Sequence, residues 1–307
     1  MFADDKNIIL SGKDPNKLIL EANEELDNIN QYMAANKLIV NKTKTSFMLL
    51  KPKGGKKYQI TEKLKMGNVE INQVSEARFL GVILDDQLSF KKQYEVVKNK
   101  LENTVKALIC TRNLLNYKAK FQLYNALFES HVNYCCIAYM DKLKKGQIEK
   151  LKSLQKKAIR LIFNAKQKSH TNKLFKLSNI TPIQDIYENE ALKFVFKNIS
   201  VLSCYHQPVA IRDILLQNTN HRQIRTRFDD DDTKIRINNQ YTKGQAIYGI
   251  LDKWNNTSYD IRNAGNLFSL KRMLKNKINT DMNECTTEDC YSCRIDVHSD
   301  YSKYMKI

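Results

Sequence analysis

Proline and glycine are scarce, at 4 and 9 in a chain of 307 residues. Long flexible linkers and low-complexity tracts draw on those residues, so the sequence argues against both. No apolar run approaches the ~20 residues that a membrane-spanning helix needs. The N-terminus has neither the basic residues nor the apolar core of a secretory signal. Seven cysteines are an odd number, and without a signal they favour a reduced, intracellular setting over a disulfide framework. Acidic residues are also short, with 33 Asp and Glu against 51 Lys and Arg for a net charge of +18. That excess points to a polyanionic partner, nucleic acid first and an anionic membrane surface second. The remainder is ordinary for a globular chain: 42% hydrophobic and 27% charged. It is long enough to bury a real core in two or three domains.

Periodicity gives the organisation. Asp14 and Pro15 predict a capped helix start, followed by Leu18, Ala22, Leu26, Ile29 and Met33 at helical spacing. Thr45 to Leu50 reads as a strand, and Lys65 to Ile71 as a hairpin turning at Gly67-Asn68. Ala77 to Leu84 reads as a buried strand. From Ser89 the period is helical. One stripe runs from Tyr94 to Leu115, a second from Phe121 to Tyr139, and a third from Ile148 to Ile162. Three such helices with short connections predict an antiparallel bundle. Thr181-Pro182-Ile183-Gln184 starts another helix, and Gln245 to Trp254 and Leu267 to Ile278 predict two more. Asp229 to Asp232 reads as a solvated loop, and the chain from about Asn279 as loose. The expected fold is α+β but mainly α, with a small antiparallel sheet, a helical bundle and a helical C-terminal region.

The first residues, Met1-Phe2-Ala3-Asp4-Asp5, place two carboxylates at a turn before the apolar Ile8-Ile9-Leu10, read as a strand. Converging carboxylates bind hard divalent cations such as Mg²⁺. Downstream lie Asn41-Lys42-Thr43-Lys44-Thr45 and then Phe79-Leu80-Gly81-Val82. This ordered series resembles the reverse transcriptases (RNA-directed DNA polymerases) of LINE-like, non-LTR retrotransposons. The stretch from Leu123 to Tyr139 resembles the family's thumb helix, and Leu154 to Ile162 the basic helix after it. Thr181-Pro182-Ile183, His221 to Arg227, Lys253-Trp254-Asn255 and Phe268-Ser269-Leu270-Lys271 resemble its downstream tail.

The resemblance implies domains at 1–88 (end of the palm), 89–178 (thumb), 179–280 (tail) and 281–307 (a loose cysteine-containing segment). It implies that Asp4 and Asp5 hold Mg²⁺ for two-metal nucleotidyl transfer. Lys44 then lies near the incoming triphosphate, and Phe79, Leu80 and Gly81 shape a primer grip. The implied partners are an RNA template and a DNA primer in a nuclear setting, with no membrane. Because the family's fingers and upstream catalytic aspartate have no counterpart in the sequence, the chain alone is expected not to polymerise. The alternative is a noncatalytic nucleic-acid-binding remnant using a basic thumb.

Two further clusters stand out. Lys142 to Lys176 holds twelve basic residues and one acid, Glu149. Lys152, Lys156 and Arg160 recur every four residues there, with Lys157 adjacent, and they predict a phosphate-tracking surface. Near the end, Cys285, Cys290, Cys293 and His298 carry the ligand types of a tetrahedral Zn²⁺ site. Their spacing is not that of a zinc knuckle, and the reading favours free thiols. Cys110, Cys135, Cys136 and Cys204 fall on helical patterns and are expected to be buried.

Overall fold

The computed structural model describes residues 6–50, 60–167, 169–200 and 246–281. The chain divides into two compact units, Met1–Ser89 and Phe90–Ile307. The fold is α+β and mainly α, as the sequence predicts.

In the first unit, Asp14 accepts from the Asn16 amide (3.0 Å) and starts α1 (Pro15–Ala35). This helix buries Pro15, Ile19, Leu26 and Met33. The strands follow as β1 (Ser46–Phe47), β2 (Lys65–Met66), β3 (Val69–Glu70), β4 (Asn72–Gln73), β5 (Glu76–Phe79) and β6 (Val82–Asp85). They form separate two-stranded pairs rather than one sheet. β2–β3 and β5–β6 are antiparallel, and β1–β4 is parallel. The hairpin expected at Gly67-Asn68 is present, with Gly67 at a φ of 60°. The core is small: Ile19, Leu26, Leu64, Met66 and Ile71. Side chain–backbone bonds close it, since Asn23 donates to Lys63 O (3.1 Å) and accepts from Lys65 N (2.8 Å).

Three expectations for this unit are corrected. Ile8, Ile9 and Leu10 are exposed without strand structure, because no described strand pairs with them. The strand expected over Thr45 to Leu50 shrinks to two residues. Ala77 to Leu84 is a hairpin, in which Leu80 and Gly81 take positive φ (45° and 83°) and reverse the chain. Only Val82 of that segment is buried.

The second unit is helical: α2 (Lys91–Cys110), α3 (Tyr117–Tyr124), α4 (Ser130–Asn133), α5 (Cys136–Tyr139), α6 (Lys145–Ile162), α7 (Asn172–Ser178) and α8 (Ile183–Ser200). After residue 245 come α9 (Ala246–Asn255), α10 (Tyr259–Arg262) and α11 (Leu267–Asp281). The α2 stripe packs as expected from Tyr94 to Leu108, burying Tyr94, Val97, Leu101, Val105 and Leu108 against α6 and α3, while Leu115 lies beyond the helix end and is half-buried. The second stripe does not form one helix. A π-turn at Asn125–Glu129 lies between α3 and α4 and buries Phe128. Thr104 Oγ, on α2, donates to Leu127 O within it (3.1 Å). The helix then breaks at Cys135, which is left-handed at φ 50°. Tyr139 Oη donates to the freed Val132 carbonyl (3.2 Å). Because of this break Cys135 is exposed while Cys136 is buried; Cys110, at the end of α2, is also exposed. A further cluster joins Ala191, Leu192 and Val195 of α8 to Ile250, Leu251 and Trp254 of α9 and Leu270 and Leu274 of α11.

Candidate nucleic-acid interface

Helix α6 carries six Lys and Arg against one acid, Glu149, and its packing decides which cations face outward. It buries Leu151, Gln155, Ala158, Ile159 and Ile162, a spacing that keeps one face inward. The exposed lysines are Lys145 at its start and then Lys150, Lys156 and Lys157. Lys152 and Arg160 are half-buried and already engaged. Lys152 Nζ lies 2.7 Å from Glu149, and this bond holds the Glu149 carboxyl below its ordinary range. Arg160 Nε donates to Ser169 O (2.8 Å), and burial holds its guanidinium below the ordinary arginine value.

The expected row of Lys152, Lys156 and Arg160 is therefore corrected: one of the three, Lys156, is exposed. The reason is geometric. Each step of four residues turns about 40° beyond a full helical turn, so the row drifts around the axis. A step of seven returns almost to the same line, and this relates Lys150 to Lys157. Lys150 was legible from that spacing.

Gln155 fixes α6 in place. Its Nε2 donates to Tyr124 Oη and to Thr181 O, and its Oε1 accepts from Ile183 N, each at 2.9 Å. A side chain only 1% exposed is thereby satisfied at both ends, and it holds the first amide of α8. No periodicity marks such a residue, because it occupies an apolar position in the pattern. At the C-terminus of α6, Ala165 N bonds to Arg160 O and Asn164 N to Leu161 O, with Asn164 at φ 52°. This is a Schellman stop with asparagine in the left-handed position.

The other candidate residues lie in the first unit. Lys44 is exposed on a turn held by Asn41, whose Oδ1 accepts from Thr43 Oγ (2.7 Å) and Lys44 N (3.3 Å). Phe79 and Leu80 are exposed apolar residues at the β5–β6 tip, 36% and 42% accessible. Leucine is disfavoured at a positive φ, and Gly81 takes the neighbouring positive φ without strain. Asp4 and Asp5 lie outside the described residues, as do Cys204, the segment His221 to Arg227, Asp229 to Asp232, and Cys285, Cys290, Cys293 and His298. Among the described residues no group of three or more His, Cys, Asp or Glu side chains could hold a metal, and no helix is long and apolar enough to cross a membrane. No family model, curated protein or solved structure matches the chain.

Proposed function

We propose that the chain binds nucleic acid through the outer face of α6, as the C-terminal portion of a reverse transcriptase of the LINE-like kind. The observation that carries the binding is the packing of α6. It turns Lys150, Lys156 and Lys157 to solvent while Glu149, the one acid in the basic segment, is occupied by Lys152. A lysine surface whose one nearby carboxylate is already paired attracts phosphates, and each phosphate neutralised releases condensed counterion. Such contacts position a strand and read no sequence.

The polymerase reading rests on the order of the motifs Phe2-Ala3-Asp4-Asp5, Asn41 to Thr45 and Phe79 to Val82. Mg²⁺ held by Asp4 and Asp5 would supply charge neutralisation at the attacking and leaving oxygens. Lys44 would neutralise charge at the leaving phosphates, and the exposed Phe79–Leu80 tip would lie against the primer. A nuclear setting follows from the same reading.

Binding is tested by fluorescence anisotropy of a labelled single strand, for the parent and for Lys150→Gln/Lys156→Gln/Lys157→Gln. The variant should bind more weakly, and equally so across sequences. Full affinity in the variant would place the surface elsewhere. Primer extension on an RNA template separates a polymerase from a noncatalytic binder. Incorporation by the full chain that disappears with Asp4→Asn would show catalysis; the chain alone is expected to bind without extending.

A further inference from the structure

Outside the α6 face, a cleft of about 410 Å³ opens beside the start of α3, a size within the usual range of small-molecule pockets. No carboxylate is among the described residues that line it. Arg112 and Lys118 stand in its wall as exposed cations. Tyr117 and three asparagines, Asn113, Asn116 and Asn164, complete the polar wall, and the last two have their oxygens engaged. Asn116 Oδ1 caps α3 by accepting from Ala119 N (2.9 Å). Asn164 Oδ1 accepts from Lys120 Nζ (2.8 Å). With one oxygen lone pair engaged, each of these carboxamides still offers its two N–H donors. The cleft is thus lined by positive charge and by amide and hydroxyl groups able to donate, with Leu115 and Ile162 as its apolar part.

Lys120 strengthens this arrangement from behind. It is 1% exposed, and its bonded partner is an amide rather than an acid. Burial first, and then the neighbouring Arg112 guanidinium, hold its pKa below the ordinary lysine value. A buried ammonium beside a second cation is costly without a counter-charge. An anion in the cleft would offset that cost.

We propose that this cleft binds a phosphate group, either free phosphate or the terminal phosphate of a nucleic-acid strand. Arg112, Lys118 and the Asn164 amide are its donors. The group fits because a phosphate accepts several charge-assisted hydrogen bonds at once, and guanidinium and amide donors suit its oxygens. Lys120 acts as a positioning residue: it holds the Asn164 oxygen and so presents the amide hydrogens to the cleft.

The test uses the full chain and Arg112→Gln/Lys118→Gln, both changes at exposed positions. Thermal melts are compared in sodium phosphate and in sodium chloride at matched ionic strength. Phosphate should raise the melting temperature of the parent and not of the variant, while in chloride the variant melts no lower than the parent. Anisotropy then compares one labelled oligonucleotide with a 5′-phosphate or a 5′-hydroxyl. Binding about tenfold tighter with the 5′-phosphate, lost in the variant, assigns the site to a strand end. Equal binding beside a phosphate-specific melting shift assigns it to the free anion. Absence of both effects, or persistence of either in the variant, overturns the proposal. Failure of the α6 reading is distinguishable, because Lys150→Gln/Lys156→Gln/Lys157→Gln should keep the phosphate melting shift and any 5′-phosphate preference.

Discussion

The described parts of the first and second units are held together by different means. Among its described residues the first unit relies on one helix, strand pairs of two to four residues, and a small core cluster around Ile19, Leu26 and Met66. The carboxamide of Asn23 ties α1 to the chain at Lys63 and Lys65, where β2 begins. The second unit buries large side chains completely, among them Leu101, Leu108, Tyr124, Phe128 and Tyr139. Its polar interior is concentrated in a few shared residues, Gln155 and Lys120 above all. The contrast shows where the same kind of substitution should cost most. A helical core with no exposed edge cannot collapse around a void, whereas a thin layer over short strands can.

Truncating a fully buried aromatic breaks that contrast most directly. Phe128→Ala, at a residue 0% exposed, should cost the second unit about 3–5 kcal/mol. Leu26→Ala in α1, 7% exposed, should cost the first unit no more than about 2–3 kcal/mol. Urea unfolding followed separately in each unit measures both, and equal losses would remove the distinction. Next in size is Gln155→Ala. It leaves Tyr124 Oη, Thr181 O and Ile183 N without their partner, at a cost on the order of 3 kcal/mol. A loss below about 1 kcal/mol would mean that water replaces the amide.

The third effect depends on pH. Burial pushes the Tyr124, Tyr139 and Tyr187 hydroxyls above the ordinary tyrosine value of 10.0. A group with a raised folded pKa keeps its proton longer in the native state, so the stability it contributes is lost as pH rises above that value. Lys120 has the opposite sign. Its folded pKa is lowered, so the penalty it imposes is relieved as pH climbs toward the ordinary lysine value. The tyrosines outnumber it, and the second unit should lose stability in alkali. Lys120→Met should steepen that loss by removing the opposing group. Stability measured across alkaline pH for parent and variant checks the sign, and an unchanged slope would remove Lys120 from the account.

The smallest effect lies in the first unit. Leu80 holds a left-handed conformation at the β5–β6 turn beside Gly81. Leu80→Asn would create the Asn-Gly pair that such turns favour and should stabilise the first unit by about 1 kcal/mol. A destabilised variant would show that the Leu80 side chain packs usefully despite its exposure.

The same contrast separates what was legible in the sequence from what was not. The α2 stripe from Tyr94 to Leu108 is visible as apolar spacing, because helical hydrogen bonds are local and the period alone specifies the buried face. The Asp14–Pro15 start of α1 is legible for the same reason. The β5–β6 hairpin is not, since Leu80 at a positive φ contradicts its own propensity and hides the turn inside an apolar run. The break at Cys135 depends on tertiary bonds such as Tyr139 to Val132, which no spacing encodes. At the candidate interface the excess of charge was plain, but its direction was not. Arg160 turns inward to the Ser169 carbonyl, nine residues ahead in the chain, while Lys150 was overlooked because a four-residue step does not follow one helical line.

The central claim is that the outward lysines of α6 meet phosphates, and a salt series tests it most directly. For a single strand, log K falls with log salt at a slope of about −0.7 per phosphate neutralised. If Lys150, Lys156 and Lys157 each meet one phosphate, Lys150→Gln/Lys156→Gln/Lys157→Gln should make the slope shallower by about 2 units. A slope identical to that of the parent would contradict the claim.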